Sequence, residues 1–259
     1  MKQILIKACS ILASLCFLVS LLITLVDVIC FNRSFFLYEY EKNNQAQIIG
    51  ISDEDLMAAT DVLLDYLKDK RDDIAVTAVI DGVSTEVFTT RESMHMVDVK
   101  DLYQSACSIR NVAAFICVMI GAVLYWICGT GRVEVYKDGM ENGLFMMGCF
   151  VLCIGIWAVL AFSDFWMDFH YLFFDNDLFL LDASRSIMIN MFPESFFFDL
   201  VTAIILSFGG CCGLFYAVIR KMCKKRGVLL FMLYCISRRF RPIPGISCGH
   251  VLHSTADCI

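Results

Sequence analysis

The stretch ACSILASLCFLVSLLITLVDVICF, residues 8–31, decides the fold. It holds no lysine, arginine or glutamate, and its one acid, Asp27, stands near its end. A helix needs roughly 17–25 mostly apolar residues to cross a bilayer. A helix in a soluble core rarely stays apolar on every face for that length. Three further runs have the same character: Val112–Cys128, Leu144–Phe162 and Leu200–Ile219. The whole chain agrees, since 59% of its 259 residues are hydrophobic and 19% charged, against about a quarter charged in soluble domains. The expected fold is an α-helical membrane protein with four transmembrane helices.

The first run follows Lys2 and Lys7, as a signal peptide would. A signal h-region spans only about 7–15 residues and ends at a small-x-small site. This run is longer and ends Val-Ile-Cys-Phe-Asn-Arg, so an uncleaved anchor is expected. Orientation follows from lysine and arginine near the span ends. The tail from Arg220 to Ile259 carries eight basic residues and one acid, Asp257, and the N-terminus adds Lys2 and Lys7. Both ends are therefore expected in the cytoplasm, which four spans satisfy. Residues 32–111, with eight basic and fifteen acidic residues, and 163–199, with seven acids and Arg185, then face outward. The net charge of −6 arises in those outer segments. No basic face for nucleic acid exists outside the tail, and the tail suits anionic lipid headgroups.

The chain thus divides into a first transmembrane helix (1–31), an extracytoplasmic cap (32–111), a second transmembrane helix (112–128) and a cytoplasmic loop (129–143). A third transmembrane helix (144–162), an extracytoplasmic interfacial segment (163–199), a fourth transmembrane helix (200–219) and a basic cytoplasmic tail (220–259) follow. In the cap, Ser52 precedes Asp53, Glu54 and Asp55, a cap and an acidic first turn that suit a helix N-terminus. Leu56, Leu63, Leu64 and Leu67 continue it at helical spacing, with an end expected near Asp72. The β-branched runs Ile74–Ile80 and Val83–Thr89 flank Asp81-Gly82, a hairpin signal. The cap is accordingly a small α+β unit, helix plus β-hairpin, between spans one and two. A lone hairpin is marginal in water, so it must pack on the helix or the membrane face. Asp98 is a plausible N-cap for a helix running into the second span, which leaves His95 just before that helix. Aromatic residues crowd residues 164–182 and Phe192–Phe198, as they do at a water–lipid boundary. Pro193 suits the start of the fourth helix. Residues 228–236, flanked by lysines and arginines, are too short to span and suit the inner leaflet; residues 242–259 read as irregular.

Fourteen cysteines suggest disulfides by number, yet most sit in spans or in the cytoplasmic part. Only Cys30 and Cys107 lie near the outer surface, where one bridge between them is an option. The rest read as small polarizable packing residues. Among four histidines, His250 and His253 lie in the tail. His95 and His170 both fall where an outer segment meets a span, at one depth. Histidine exchanges protons near neutral pH, the ordinary requirement of acid–base catalysis. Asp98 stands near His95; Asp164, Asp168, Asp175 and Asp177 stand near His170. An interfacial histidine is more often a hydrogen-bonding surface residue, so the pair is a candidate only. No His-x-x-x-His or Cys-x-x-Cys pattern supports zinc, and no metal or cofactor is expected. No Gly-x-Ser-x-Gly elbow or phosphate-cradling glycine loop is present.

Four spans, an outer cap after the first, the His-Met-x-Asp-Val run at His95–Val99, and the aromatic His-x-x-x-Phe-x-Asn-Asp run at His170–Asp177 together resemble the bacterial lipoprotein intramolecular transacylase (Lit) family. The Phe-Pro-Glu-x-Phe-Phe run at Phe192–Phe197 belongs to the same resemblance, which covers roughly Met1 to Arg226. The family pattern has tryptophan where Phe179 stands and proline where Ala183 stands, departures that bear on substrate fit. The resemblance implies an acyltransferase acting on diacylglyceryl-modified bacterial lipoproteins in the cell membrane. Such an enzyme moves the sn-2 acyl chain to the α-amino group of the same cysteine, giving a lyso-form product. It implies His95 and His170 as the catalytic pair, with Asp98, Asp168 and Asn176 as candidate orienting or substrate-site residues. The competing reading is a non-enzymatic membrane sensor or assembly factor that binds a partner through its cap. The distance between the two imidazoles separates the two.

Overall fold

A computed structural model describes residues 1–239, with side chains through residue 221 apart from Thr130 and Arg132. In chain order it runs α1 (Lys2–Cys30), α2 (Arg33–Asn43), α3 (Gln45–Ile49), α4 (Asp53–Leu67), β1 (Thr77–Ile80), β2 (Val83–Glu86), α5 (Thr90–Cys128), α6 (Arg132–Leu160), α7 (Phe162–Phe173), α8 (Ile187–Met191) and α9 (Glu194–Arg239). Four of these helices, α1, α5, α6 and α9, are long and apolar enough to cross a membrane. The expected irregular run 242–259 lies outside the described residues.

Helix α1 packs against α5, α6 and α9. Its Leu18 is fully buried with Met147 of α6 and Phe208 of α9. The α1–α6 contact is close because small residues face each other. A Cβ added at Gly139 would lie 2.7 Å from the Ser10 carbonyl oxygen, and one at Gly143 would lie 2.8 Å from Ser14 Cβ. Ser10 and Ser14 therefore meet Gly139 and Gly143 at matched four-residue spacing, the small-residue packing that brings membrane helices together. Asp27, the one acid of the first apolar run, accepts hydrogen bonds from Tyr103 Oη at 2.8 Å and Arg110 Nη1 at 2.9 Å, both on α5. Lys68 completes the cluster at 3.4 Å.

The segment between α1 and α5 shares a core with α8 and the starts of α5 and α9. Phe36 and Tyr40 of α2, Leu56, Ala59 and Leu63 of α4, Val87 and Phe88 after β2, Met96 of α5 and Met191 and Phe196 beyond α7 are all buried together. Asp81 (φ 49°) and Gly82 (φ 81°) make the tight turn between β1 and β2, with Ile80 paired to Val83. Both positive φ values are what a type I′ turn demands. The hairpin does not stand alone: Ile51 bridges Ile80, Asp81 N donates to the Gly50 carbonyl at 2.9 Å, and Ala78 faces the core.

Several boundaries differ from those read in the sequence. Helix α4 stops at Leu67, not near Asp72. Asp69 takes a left-handed conformation (φ 58°), and Lys70 N closes back onto the Asp65 carbonyl at 2.9 Å, a Schellman-type end. The strands are shorter than the β-branched runs, four residues each. Asp98 caps nothing; it lies inside α5, which begins eight residues earlier, at Thr90, behind a Thr89–Glu92 capping box. His95 is consequently a helical residue. Only Gly129–Gly131 separates α5 from α6, so most of the expected loop 129–143 is helix. The backbone of α9 continues through 228–236 without a break. Cys30 and Cys107 are both free thiols, and the optional bridge is not formed.

Candidate active site

Helix α5 is 39 residues long, about 58 Å at 1.5 Å per residue, whereas the hydrocarbon core of a bilayer is about 30 Å thick. Its apolar stretch lies toward its C-terminal end. Its first half is charged, with Arg91, Glu92, Asp98, Lys100 and Asp101, and carries His95. The capping box fixes this end: Glu92 N donates to Thr89 Oγ1 at 3.3 Å while Thr89 N donates to Glu92 Oε2 at 2.6 Å. Glu92 is fully buried. Its other oxygen accepts from Ser186 Oγ and from Met188 N at 3.1 Å. A buried carboxylate is tolerable when its lone pairs are filled this way. Glu92 thus ties the start of α5 to the start of α8, one helical turn before His95.

Helix α7 carries the second histidine. Trp166, His170 and Phe174 follow at four-residue spacing and so share one side of it. His170 Nδ1 bonds the Trp166 carbonyl at 2.7 Å. A carbonyl only accepts, so Nδ1 carries the hydrogen and Nε2 keeps its lone pair. The helix ends at Phe174, whose N–H donates to the His170 carbonyl at 2.9 Å. Beyond it the chain folds back over α5. Asn176 Nδ2 donates to Asp98 Oδ2 at 2.9 Å, and Arg91 pairs with Asp177 through its carboxylate and its carbonyl.

These two straps bring the histidines together. The ring centroids of His95 and His170 are 6.1 Å apart, tilted by 32°. Aromatic rings enclose them: Phe174 meets His95 edge-on at 5.3 Å, Phe179 lies 4.9 Å from His170, and Trp166 meets His170 edge-on at 4.9 Å. His95 is 8% exposed, and its Nδ1 has no hydrogen-bond partner. Burial pushes His95 down from 6.5 to about 4, with the neighbouring His170 adding to the effect and Asp98 opposing it. Burial also lowers His170, while the Trp166 carbonyl pulls the other way. Both rings are therefore neutral imidazoles at neutral pH, inside an apolar box.

Of the sequence-derived candidates, His95, His170, Asp98 and Asn176 converge. Asp168 does not. It is exposed and makes no hydrogen bond or ion pair among the described residues, and the backbone of Trp166 does the orienting expected of it. No group of three metal-ligating side chains forms among the described residues.

A family model described as the lipoprotein intramolecular transacylase Lit matches residues 11–197. The chain belongs to the Lit family. It is accordingly a multi-pass membrane acyltransferase whose substrates are lipoproteins. Among solved structures it is similar to the membrane integral Lit of Bacillus cereus, at 20% identity over 86% of this chain and 97% of that chain, with a TM-score of 0.72. Two variants of that protein, with a histidine replaced by arginine or by alanine, match with TM-scores of 0.68 and 0.66. Their identities are 20% and 19%, over 87% of this chain in each case and 95% and 96% of theirs. At such identities the likeness speaks for the fold. A search of curated proteins finds no match.

Within this Lit-family chain, the two departures from the family pattern occupy different places. Phe179 packs directly on the His170 ring. Ala183 lends only its carbonyl, which accepts from Asn190 Nδ2 at 2.9 Å. Sequence reading overlooked Glu92, Ser186 and the Arg91–Asp177 pair. For Glu92 the signal was present, since Thr-x-x-Glu ahead of an apolar helix is a capping-box pattern. For Ser186, 94 residues away, no local signal exists.

Proposed function

We propose that His95 and His170 form the acid–base centre of the transacylation, which moves the sn-2 acyl chain of a diacylglyceryl-cysteine to the α-amino group of that cysteine. The observation that carries this reading is the pair of imidazoles 6.1 Å apart, one with an unpartnered Nδ1, inside an aromatic enclosure. An α-amino group has a pKa of roughly 7.7–8.0, so much of it is protonated at neutral pH. Attack on the ester needs the free amine, then loss of one proton from nitrogen and gain of one by the glyceryl oxygen. His170, with Nε2 free, is suited to take the proton from nitrogen. The same proton then passes to the departing oxygen, directly or by relay over the neighbouring His95, and both rings end neutral. Amine and ester belong to one molecule, so no acyl-enzyme is needed and orientation contributes several kcal/mol. Asp98 and Asn176 act by holding the two histidine-bearing segments together.

The site lies at the polar end of α5, beside the start of α9. We place it on the extracytoplasmic side, between the cap (residues 32–111) and the interfacial segment (163–199), with both termini in the cytoplasm. Its substrate would stay anchored by its acyl chains at the same interface. The test uses purified, folded His95→Ala and His170→Asn with a diacylated lipopeptide. Neither is expected to give lyso-form product. Substrate and product are isomers, so fragmentation spectra are the readout. Full activity in either variant overturns the assignment.

A further inference from the structure

Helices α6 and α9 meet in the core around Leu18 through Met147 and Phe208, but beside that contact they leave apolar length open. Between them runs a groove of about 600 Å³, within the roughly 300–1,000 Å³ of ligand sites. Leu144, Gly148 and Gly155 line it from α6; Thr202, Ile205 and Gly209 line it from α9. Thr202 is its one hydroxyl. On α6 the lining extends from Leu144 to Leu160, about 24 Å of helix, which exceeds the roughly 15 Å half-thickness of a bilayer core. The glycines keep it open. A Cβ at Gly148 or Gly209 would meet nothing within 4 Å.

Packed aromatic rings connect its Leu160–Thr202 end to the histidines. Two residues past Leu160, Phe162 meets Phe198 of α9 at 5.3 Å; Phe198 lies one turn before Thr202. From Phe162 the rings continue to Trp166 at 6.0 Å and from Trp166 to His170 at 4.9 Å. Trp166 also stacks on Phe197 at 4.2 Å. We propose that this groove holds an acyl chain of the diacylglyceryl substrate, with the ester presented at the aromatic steps beneath His170. This rests on the acid–base reading above. Methylenes fill such a lining without stranding a polar group, whereas a peptide or sugar would leave several unpaired. An ordinary phospholipid chain has the same chemistry, but continuity with the histidine site favours the substrate.

Gly148→Leu fills the groove in its deep half. The ratio of rates on a lipopeptide with sixteen-carbon chains to one with eight-carbon chains is expected to fall at least about tenfold from that of the unaltered protein. An unchanged ratio overturns the proposal. A second measurement does not depend on turnover. His95→Ala protein in phosphatidylcholine vesicles is irradiated with a lipopeptide bearing a diazirine near its chain end. Adducts on 144–155 or 205–212, suppressed by unlabelled lipopeptide, support the proposal even if the histidine roles are wrong. Equal labelling by a diazirine phosphatidylcholine, or no adduct there, overturns it.

Discussion

The two imidazoles differ in how the protein holds them. His170 is fixed through Nδ1 by a backbone carbonyl of its own helix, whereas His95 Nδ1 is left open in a buried site. That difference was out of reach of the sequence, which placed the residues at one depth and no nearer. It depends on α5 being capped at Thr89, and on an aromatic enclosure assembled from residues 166–179. The lowered proton affinity has a direction that can be measured. Between pH 6.5 and about 4 the unfolded chain binds a proton at His95 that the folded protein refuses. Stability from this residue is thus full above 6.5 and lost as the pH falls toward 4. Activity should show no loss through imidazolium formation near 6.5. It should climb from pH 6 to 8 as the substrate amine loses its proton. A pH profile of kcat/KM on a diacylated lipopeptide tests this. A step centred at 6.5 that vanishes when the substrate amine has a lower pKa would belong to the amine; one that stays would belong to a histidine and contradict the assignment.

At the level of elements, apolar length located four crossing helices, and Asp81-Gly82 located the hairpin turn. Helix ends were less legible because they answer to local capping competition. Asp98 has the right residue type for a cap, but Thr89 and Glu92 cap each other reciprocally and win by joining the helix earlier. Asp69 ends α4 by turning left-handed, a conformation open to aspartate that composition does not announce. Helix-on-helix contact was also hidden, since a glycine in an apolar run reads the same whether it faces a neighbour or an open groove. Gly143 and Gly148 on α6 are such a pair. Gly143→Leu must push into Ser14 of α1, because even a Cβ would lie 2.8 Å from Ser14 Cβ. It should cost about 1–3 kcal/mol. Gly148→Leu meets nothing at its Cβ and should leave the unfolding midpoint in detergent within about 2 °C of the unaltered protein, given the few degrees that one kcal/mol moves a domain of this size. Equal midpoints for the two variants would mean that α1 and α6 are not packed through Gly143.

For the molecule as a whole, orientation rests on charge alone. The segment from Asn32 to Asn111 has nearly twice as many acids as bases, and the tail after Ile219 is strongly basic. Translocation disfavours basic flanks near span ends, and the proposed orientation therefore keeps the tail inside and exports the acidic segment. The consequence extends to function, because the histidine pair travels with the acidic segment. An epitope inserted between Asp72 and Asp73, exposed residues outside any helix or strand, leaves the elements on either side intact. It should bind antibody on intact bacterial cells stripped of their outer layers. A fluorescent protein fused after Ile259, which matures only in the cytoplasm, should be bright in the same cells. An epitope reached only after the membrane is permeabilised would invert the molecule and put the imidazoles on the wrong side for an exported lipoprotein.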